Sequence, residues 1–95
     1  MIGPFRVIWN HQSVNRDVAN IVFRVMERRG DTGEITRAMA HIDQLLSIDP
    51  IACSESRADH ERILIVEPLA VDFEFHEEEK IVYVLRARYA PKRKK

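Results

Sequence analysis

The chain is predicted to be an α+β domain of order β-α-α-β-β-β. It should have a mainly antiparallel four-stranded sheet with a helical hairpin packed on one face. Three observations carry that prediction. Residues 62–89 contain three consecutive strand-like runs, two of them alternating apolar and polar with a period of two. Two earlier segments repeat apolar residues every three or four positions. A short extended run, FRVIWN, precedes them all.

The late stretch organises the rest. Arg62–Val66 is a nearly continuous apolar run. In Leu69–His76, the residues Leu69, Val71, Phe73 and Phe75 fall on one side, and Ala70, Asp72, Glu74 and His76 on the other. Ile81–Tyr89 divides into Ile81, Tyr83, Leu85, Ala87 and Tyr89 against Val82, Val84, Arg86 and Arg88. A three-residue loop at Glu77–Glu79 pairs Phe75 with Ile81, Phe73 with Tyr83 and Val71 with Leu85. The large apolar side chains then share one core face, since a slip of one residue would carry a whole set to the other side. Pro68 fits only a turn or a strand start. A three-residue loop at Glu67–Leu69 sends Ile63 and Ile65 to the core face and Arg62, Leu64 and Val66 to the open one.

Phe5–Asn10 is a strand in which Phe5, Val7 and Trp9 alternate with Arg6 and Ile8. Ser13 is the expected cap of the first helix. Its stripe is Val14, Val18, Ile21, Val22, Val25 and Met26, and Arg28-Arg29-Gly30 closes it, with glycine available for a left-handed exit. Asp31-Thr32-Gly33-Glu34 has capping-box spacing at the start of the second helix. That helix buries Ile35, Ala38, Met39, Ile42, Leu45 and Leu46, and Asp49-Pro50 stops it. Residues 51–61 read as a polar loop. The first strand has no hairpin partner in sequence, so it joins the sheet by a crossover through the helices.

Ninety-five residues, 45% of them hydrophobic and 32% charged, suit one soluble domain spanning residues 1–95. No run is long enough to span a bilayer, and the first ten residues lack the apolar core of a secretory leader, so a cytoplasmic location is expected. A lone cysteine, Cys53, excludes an internal disulfide and reads as a packed loop residue rather than a metal ligand. No histidine pair has metal-ligand spacing, and neither a metal nor a cofactor is expected. Net charge is zero, yet Arg86, Arg88, Lys92, Arg93, Lys94 and Lys95 crowd the last ten positions. Such an end suits an anionic partner, although a solvated basic terminus accounts for it equally well.

The element order, the ending Leu46, Ile48, Pro50 of the second helix, and the pattern Arg62, Leu64, Pro68, Leu69, Val71, Phe73, Ile81, Tyr83, Leu85 resemble the RelE/ParE superfamily of type II toxin–antitoxin toxins. The resemblance covers roughly Phe5 to Tyr89, and "PLAVDFEF" followed by "IVYVLRARY" is most similar to the ParE, or plasmid-stabilisation, branch. The first helix lacks the alanine-rich start of many members.

Two activities follow from the resemblance. RelE-like members are ribosome-dependent endoribonucleases that cut mRNA on the open sheet face, with cations on the phosphate and a group to move protons. Two of their cationic positions fall here on Ala70 and Ala90, which carry no charge, and only Arg62 matches. ParE-like members instead bind DNA gyrase, without an assigned catalytic triad. In either branch a cognate antitoxin holds the toxin inactive.

The resemblance favours a ParE-like binding toxin. The alternatives are a RelE-like ribonuclease acting with ribosome and mRNA, or a degenerate relative without toxicity. Whether the chain is an enzyme stays open, and so do any catalytic residues. Arg62, Glu74, Arg86 and Arg88 are the candidate partner-binding residues. A reassembled ribonuclease site would use Glu74 as base and the arginines on phosphate. The plainer reading makes Asp72, Glu74, Arg86 and Arg88 cross-strand ion pairs on a solvated surface. His60 and His76 read as exposed polar residues.

Overall fold

A computed structural model of the chain describes residues 4–9, 11–58 and 60–91. The elements are β1 (Arg6–Ile8), α1 (Gln12–Glu27), α2 (Gly33–Ile48), β2 (Glu55–Ala58), β3 (Glu61–Val66), β4 (Leu69–His76) and β5 (Ile81–Tyr89). The expected strand end at Asn10 and the lysine-rich tail at 92–95 lie outside the described residues.

Helix α1 buries Val14, Ile21 and Val25, with Val18 and Val22 packed beside them. Met26 leaves the expected stripe and is 60% exposed, because the buried set steps 14, 18, 21, 25 and residue 26 turns about 100° away. The cap is His11 rather than Ser13: its Nδ1 accepts the Ser13 N–H at 3.1 Å. At the other end the Gly30 N–H donates to Val25 O and the Arg29 N–H to Met26 O, the two bonds of a Schellman motif. The left-handed residue is Arg29, at φ 58°, and not the expected Gly30. Gly30 is needed for room instead, since a Cβ there would meet Val25 Cγ1 at 2.9 Å.

The expected capping box does not form at α2, whose N-cap is Thr32 without a side-chain cap bond. Asp31 Oδ1 accepts the Gly33 N–H at 2.8 Å, but the second carboxylate oxygen meets Arg37 at 3.0 Å. Beyond Ile48, Asp49 Oδ1 accepts the N–H groups of Ile51 and Ala52, and the chain turns away.

Among the described residues the sheet has five strands in the order β1-β5-β4-β3-β2. Strand β1 pairs parallel with β5, and the other pairs are antiparallel. The crossover of the first strand is therefore present. The fifth strand, β2, lies inside the segment read as a polar loop and pairs with β3. All four of its residues are exposed, so it has no alternation for a sequence reading to detect.

Two registers differ from expectation. The loop before β5 has four residues, 77–80, with Lys80 in the left-handed region at φ 59°. Phe75 therefore opposes Val82, and Phe73 opposes Val84. A β-bulge then leaves Leu85 without a cross-strand partner, and Val71 opposes Ala87. Before the bulge the even residues Val82 and Val84 are fully buried, while Tyr83 faces outward; after it Ala87 is buried. In β3 the turn has two residues, Glu67 and Pro68, joined by a cis peptide, so Leu64 opposes Val71. Leu64 is buried and Ile65 is 59% exposed, the reverse of the expected faces.

Both helices cover the Phe73 face. Helix α1 lies over β5, and α2 lies over β1, β3 and β4. Phe73, Val71, Val82 and Val84 form one cluster with Ile21, Val25, Ile35, Ile42 and Leu46. Strand β1 is fastened to α2 by Phe5 N–H to Ser47 O at 2.8 Å and by Trp9 Nε1 to Asp43 Oδ1 at 3.0 Å.

Candidate functional site: the uncovered sheet face

The face away from the helices follows from the register. Strand β1 contributes Arg6 and Ile8, and β5 contributes Ile81, Tyr83 and Arg88. Strand β4 adds Ala70, Asp72, Glu74 and His76, and β3 adds Glu61, Ile63 and Ile65. It mixes exposed apolar groups with charges, and no element lies over it among the described residues.

One end of this face is a ring cluster. The imidazoles of His60 and His76 stack with centroids 6.4 Å apart, and His76 meets the Tyr83 ring edge-on at 5.4 Å. His76 Nε2 lies 3.1 Å from Glu74 Oε1. The sequence reads both histidines as exposed polar residues, and without β2 nothing in it brings them together. The β2–β3 turn carries His60 to β4, where its carbonyl accepts the Phe75 N–H at 3.4 Å. A hollow of about 340 Å³ opens beside them, lined by His60, Phe75, His76 and Glu77–Glu79. Among the described residues its charged walls are carboxylates, and neither lysine nor arginine lines it. Glu74 and His76 have the groups for a proton transfer, but a polyanion would meet repulsion here.

The four candidate partner-binding residues are not brought together. Arg62 lies on the helix side, opposite Phe73 and on the Leu64 side of β3, because the shorter β3–β4 turn reverses that strand. Its guanidinium binds the segment after α2: Nε donates to Ser54 Oγ at 2.7 Å, and Nη2 to Ser54 O at 2.9 Å and Ile51 O at 3.3 Å. This is a structural brace, so its expected place on the open face is corrected. Arg62→Ala should cost about 1–3 kcal/mol of stability in urea unfolding. A variant of unchanged stability would contradict that role.

Arg86 sits at the bulge and turns to α1. Its Nε donates to Asp17 Oδ2 at 2.7 Å and its Nη2 to Oδ1 at 3.2 Å, while the Ala87 N–H donates to Oδ2 at 2.9 Å. The Arg86 hydrogen bonds hold the Asp17 carboxyl below the usual carboxylate range, against the opposing effect of burial, and the Ala87 N–H adds to the lowering. Arg86 is raised in turn by Asp17. No sequence signal linked these residues, which lie 69 apart.

Arg88 and Glu74 do lie on the open face, at opposite ends. Arg88 bonds Asp72 Oδ1 at 3.2 Å, so the plain ion-pair reading holds for that pair. Ala70 opposes Arg88. Cys53 is half-buried against the core, and burial pushes its thiol up. No group of three potential metal ligands occurs among the described residues. None of their helices is long and apolar enough to cross a membrane.

Comparison of whole structures then supplies a neighbour. A chain of the toxin–antitoxin complex RelBE2 from Mycobacterium tuberculosis superposes with a TM-score of 0.70, covering 92% of this chain and 92% of that one, at 12% sequence identity. The two chains share a fold. No family model matches this sequence, and the comparison with curated proteins gave no match.

Proposed function

We propose that the chain is the toxin-like member of a bacterial type II toxin–antitoxin pair, working in the cytoplasm and neutralised by a cognate antitoxin. The fold it shares, over 92% of both chains, with a chain of RelBE2 carries this reading. It acts in the ParE manner, by binding a protein target of the gyrase class. Three facts support that finer step. Arg62 is taken up by the segment after α2, Arg86 is taken up by Asp17, and the hollow on the open face is walled by glutamates. What remains uncovered is a mixed surface with Tyr83 and Ile65 exposed, which suits protein contact better than a phosphate backbone.

A RelE-like ribonuclease is the second reading, favoured by the Glu74–His76 contact at 3.1 Å. Induced expression in bacteria separates the two. The binding toxin should arrest growth, be rescued by the small protein encoded beside it, and leave mRNA 5′ ends unchanged. New 5′ ends would favour the ribonuclease, and unimpaired growth would leave a degenerate relative.

A further inference from the structure

We propose that the outward face of α1 docks the protein on an anionic lipid surface. Phe23 and Met26 enter the headgroup region, and the arginines around them hold lipid phosphates.

The fold leaves the apolar part of that face unused. Phe23 is 61% exposed and Met26 60%, although Val14, Ile21 and Val25 of the same helix are buried. At about 100° per residue, Phe23 stands on the side of α1 away from that buried stripe, and Ala19 and Met26 fall within roughly 60° of Phe23. All three are exposed, so a short apolar ridge runs along the outside of the helix.

Charge frames the ridge. Arg16, Arg24, Arg28 and Arg29 are exposed, and none of them joins an ion pair among the described residues. Of the two acidic residues of α1, Asp17 is turned to Arg86 and the Ala87 N–H, which leaves Glu27 alone with the ridge. Tyr89, at the end of β5, lines a hollow with Arg24, and Lys92, Arg93, Lys94 and Lys95 follow closely in the sequence. The glutamates 77–79 precede the other end of β5. A chain of zero net charge therefore carries a basic α1 side.

Apolar side chains among arginines fit a lipid interface, which offers a hydrocarbon boundary and phosphates together. A helix in that setting lies in the plane of the interface, about 5–10 Å deep, and needs no recess in its partner. The association is with the surface alone, since no helix among the described residues is long and apolar enough to cross a membrane. Two protruding side chains fall well short of the ~800 Å² a side that a stable protein interface buries. A nucleic-acid backbone would use the arginines but leave Phe23 and Met26 in water.

The inference goes beyond the toxin reading and does not depend on it. The full chain would be floated with phosphatidylcholine vesicles, with and without phosphatidylglycerol. It should float with the anionic vesicles only, and less so as salt is raised above about 0.15 M. Phe23→Gln/Met26→Gln should weaken partition about tenfold or more, and so should Arg24→Gln/Arg28→Gln. Glutamine keeps the helix preference at these exposed positions, and Phe23→Gln alone is the safeguard if a double variant misfolds. Absence of flotation with anionic vesicles would overturn the proposal. So would equal flotation with neutral vesicles, or flotation indifferent to Phe23 and Met26. A chain that self-associates in buffer and becomes monomeric in Phe23→Gln would assign the ridge to a second copy instead. A DNA duplex that binds Phe23→Gln/Met26→Gln as tightly as wild type, and strips the wild type from vesicles, would assign the arginines to nucleic acid. If the protein floats as expected but induced expression leaves growth unimpaired, the toxin reading fails and the lipid contact stands.

Discussion

Phe73→Ala is expected to lower unfolding stability by roughly 3–5 kcal/mol, whereas Tyr83→Ala should cost about 1 kcal/mol. Domains of this kind are stable by only ~5–15 kcal/mol, so the first variant approaches the limit of folding. The contrast arises from the four-residue loop at 77–80. With that loop Phe73 is fully buried against Val84 and beneath both helices, and no solvent can fill the space its ring leaves. Tyr83, one residue from Val84, points to the opposite face and is 37% exposed. Its ring contact with His76 is the chief thing lost. Urea unfolding of the two purified variants decides between registers. Equal, large losses would restore the arrangement in which Tyr83 opposes Phe73 inside the core.

That register shows where legibility ended. Strand β4 could be read outright, because Leu69, Val71, Phe73 and Phe75 alternate with small or polar residues and only one phase buries them. Strand β5 could not. Residues 81–85 are IVYVL, apolar at every position, so either phase looks satisfactory and the bulge at Leu85 lets both occur in one strand. Strand β3, with ILIV, has the same ambiguity, and there a one-residue change in turn length inverted every side chain. Arg62 followed that inversion. Strand β2 is held by main-chain bonds at an edge and buries nothing, so no pattern of side chains announces it.

The helices were legible because each buries one stripe, and their packing side followed from β4 alone. The candidate site was less so. Its most organised parts, the His60–His76–Tyr83 rings and the Asp17–Arg86 contact, join segments far apart in sequence. Their meeting depends on the same β2 ladder and β5 bulge that the pattern concealed.

The Asp17–Arg86 contact also gives the second large effect. Asp17→Ala should cost about 1–3 kcal/mol at neutral pH, since it leaves a guanidinium and the edge N–H of Ala87 without their acceptor. The Asp17 side chain is 13% exposed, so the loss is less diluted by solvent than at a surface pair, whereas that of Arg86 is 60% exposed and water can partly replace its half. The pH dependence follows from the lowered carboxyl. A group whose folded pKa lies below its unfolded value of about 3.9 stabilises the fold fully above that value. It loses the contribution as pH falls through the folded pKa. The stability gap between wild type and Asp17→Ala should therefore be constant above pH ~5 and close progressively below pH ~4. Asp31, lowered by its bond to Arg37, titrates in both proteins and cancels from the difference. Denaturant midpoints across that range measure the gap directly. A gap that persists undiminished in strong acid would mean that Asp17 matters for its packing against β5 and not for its charge.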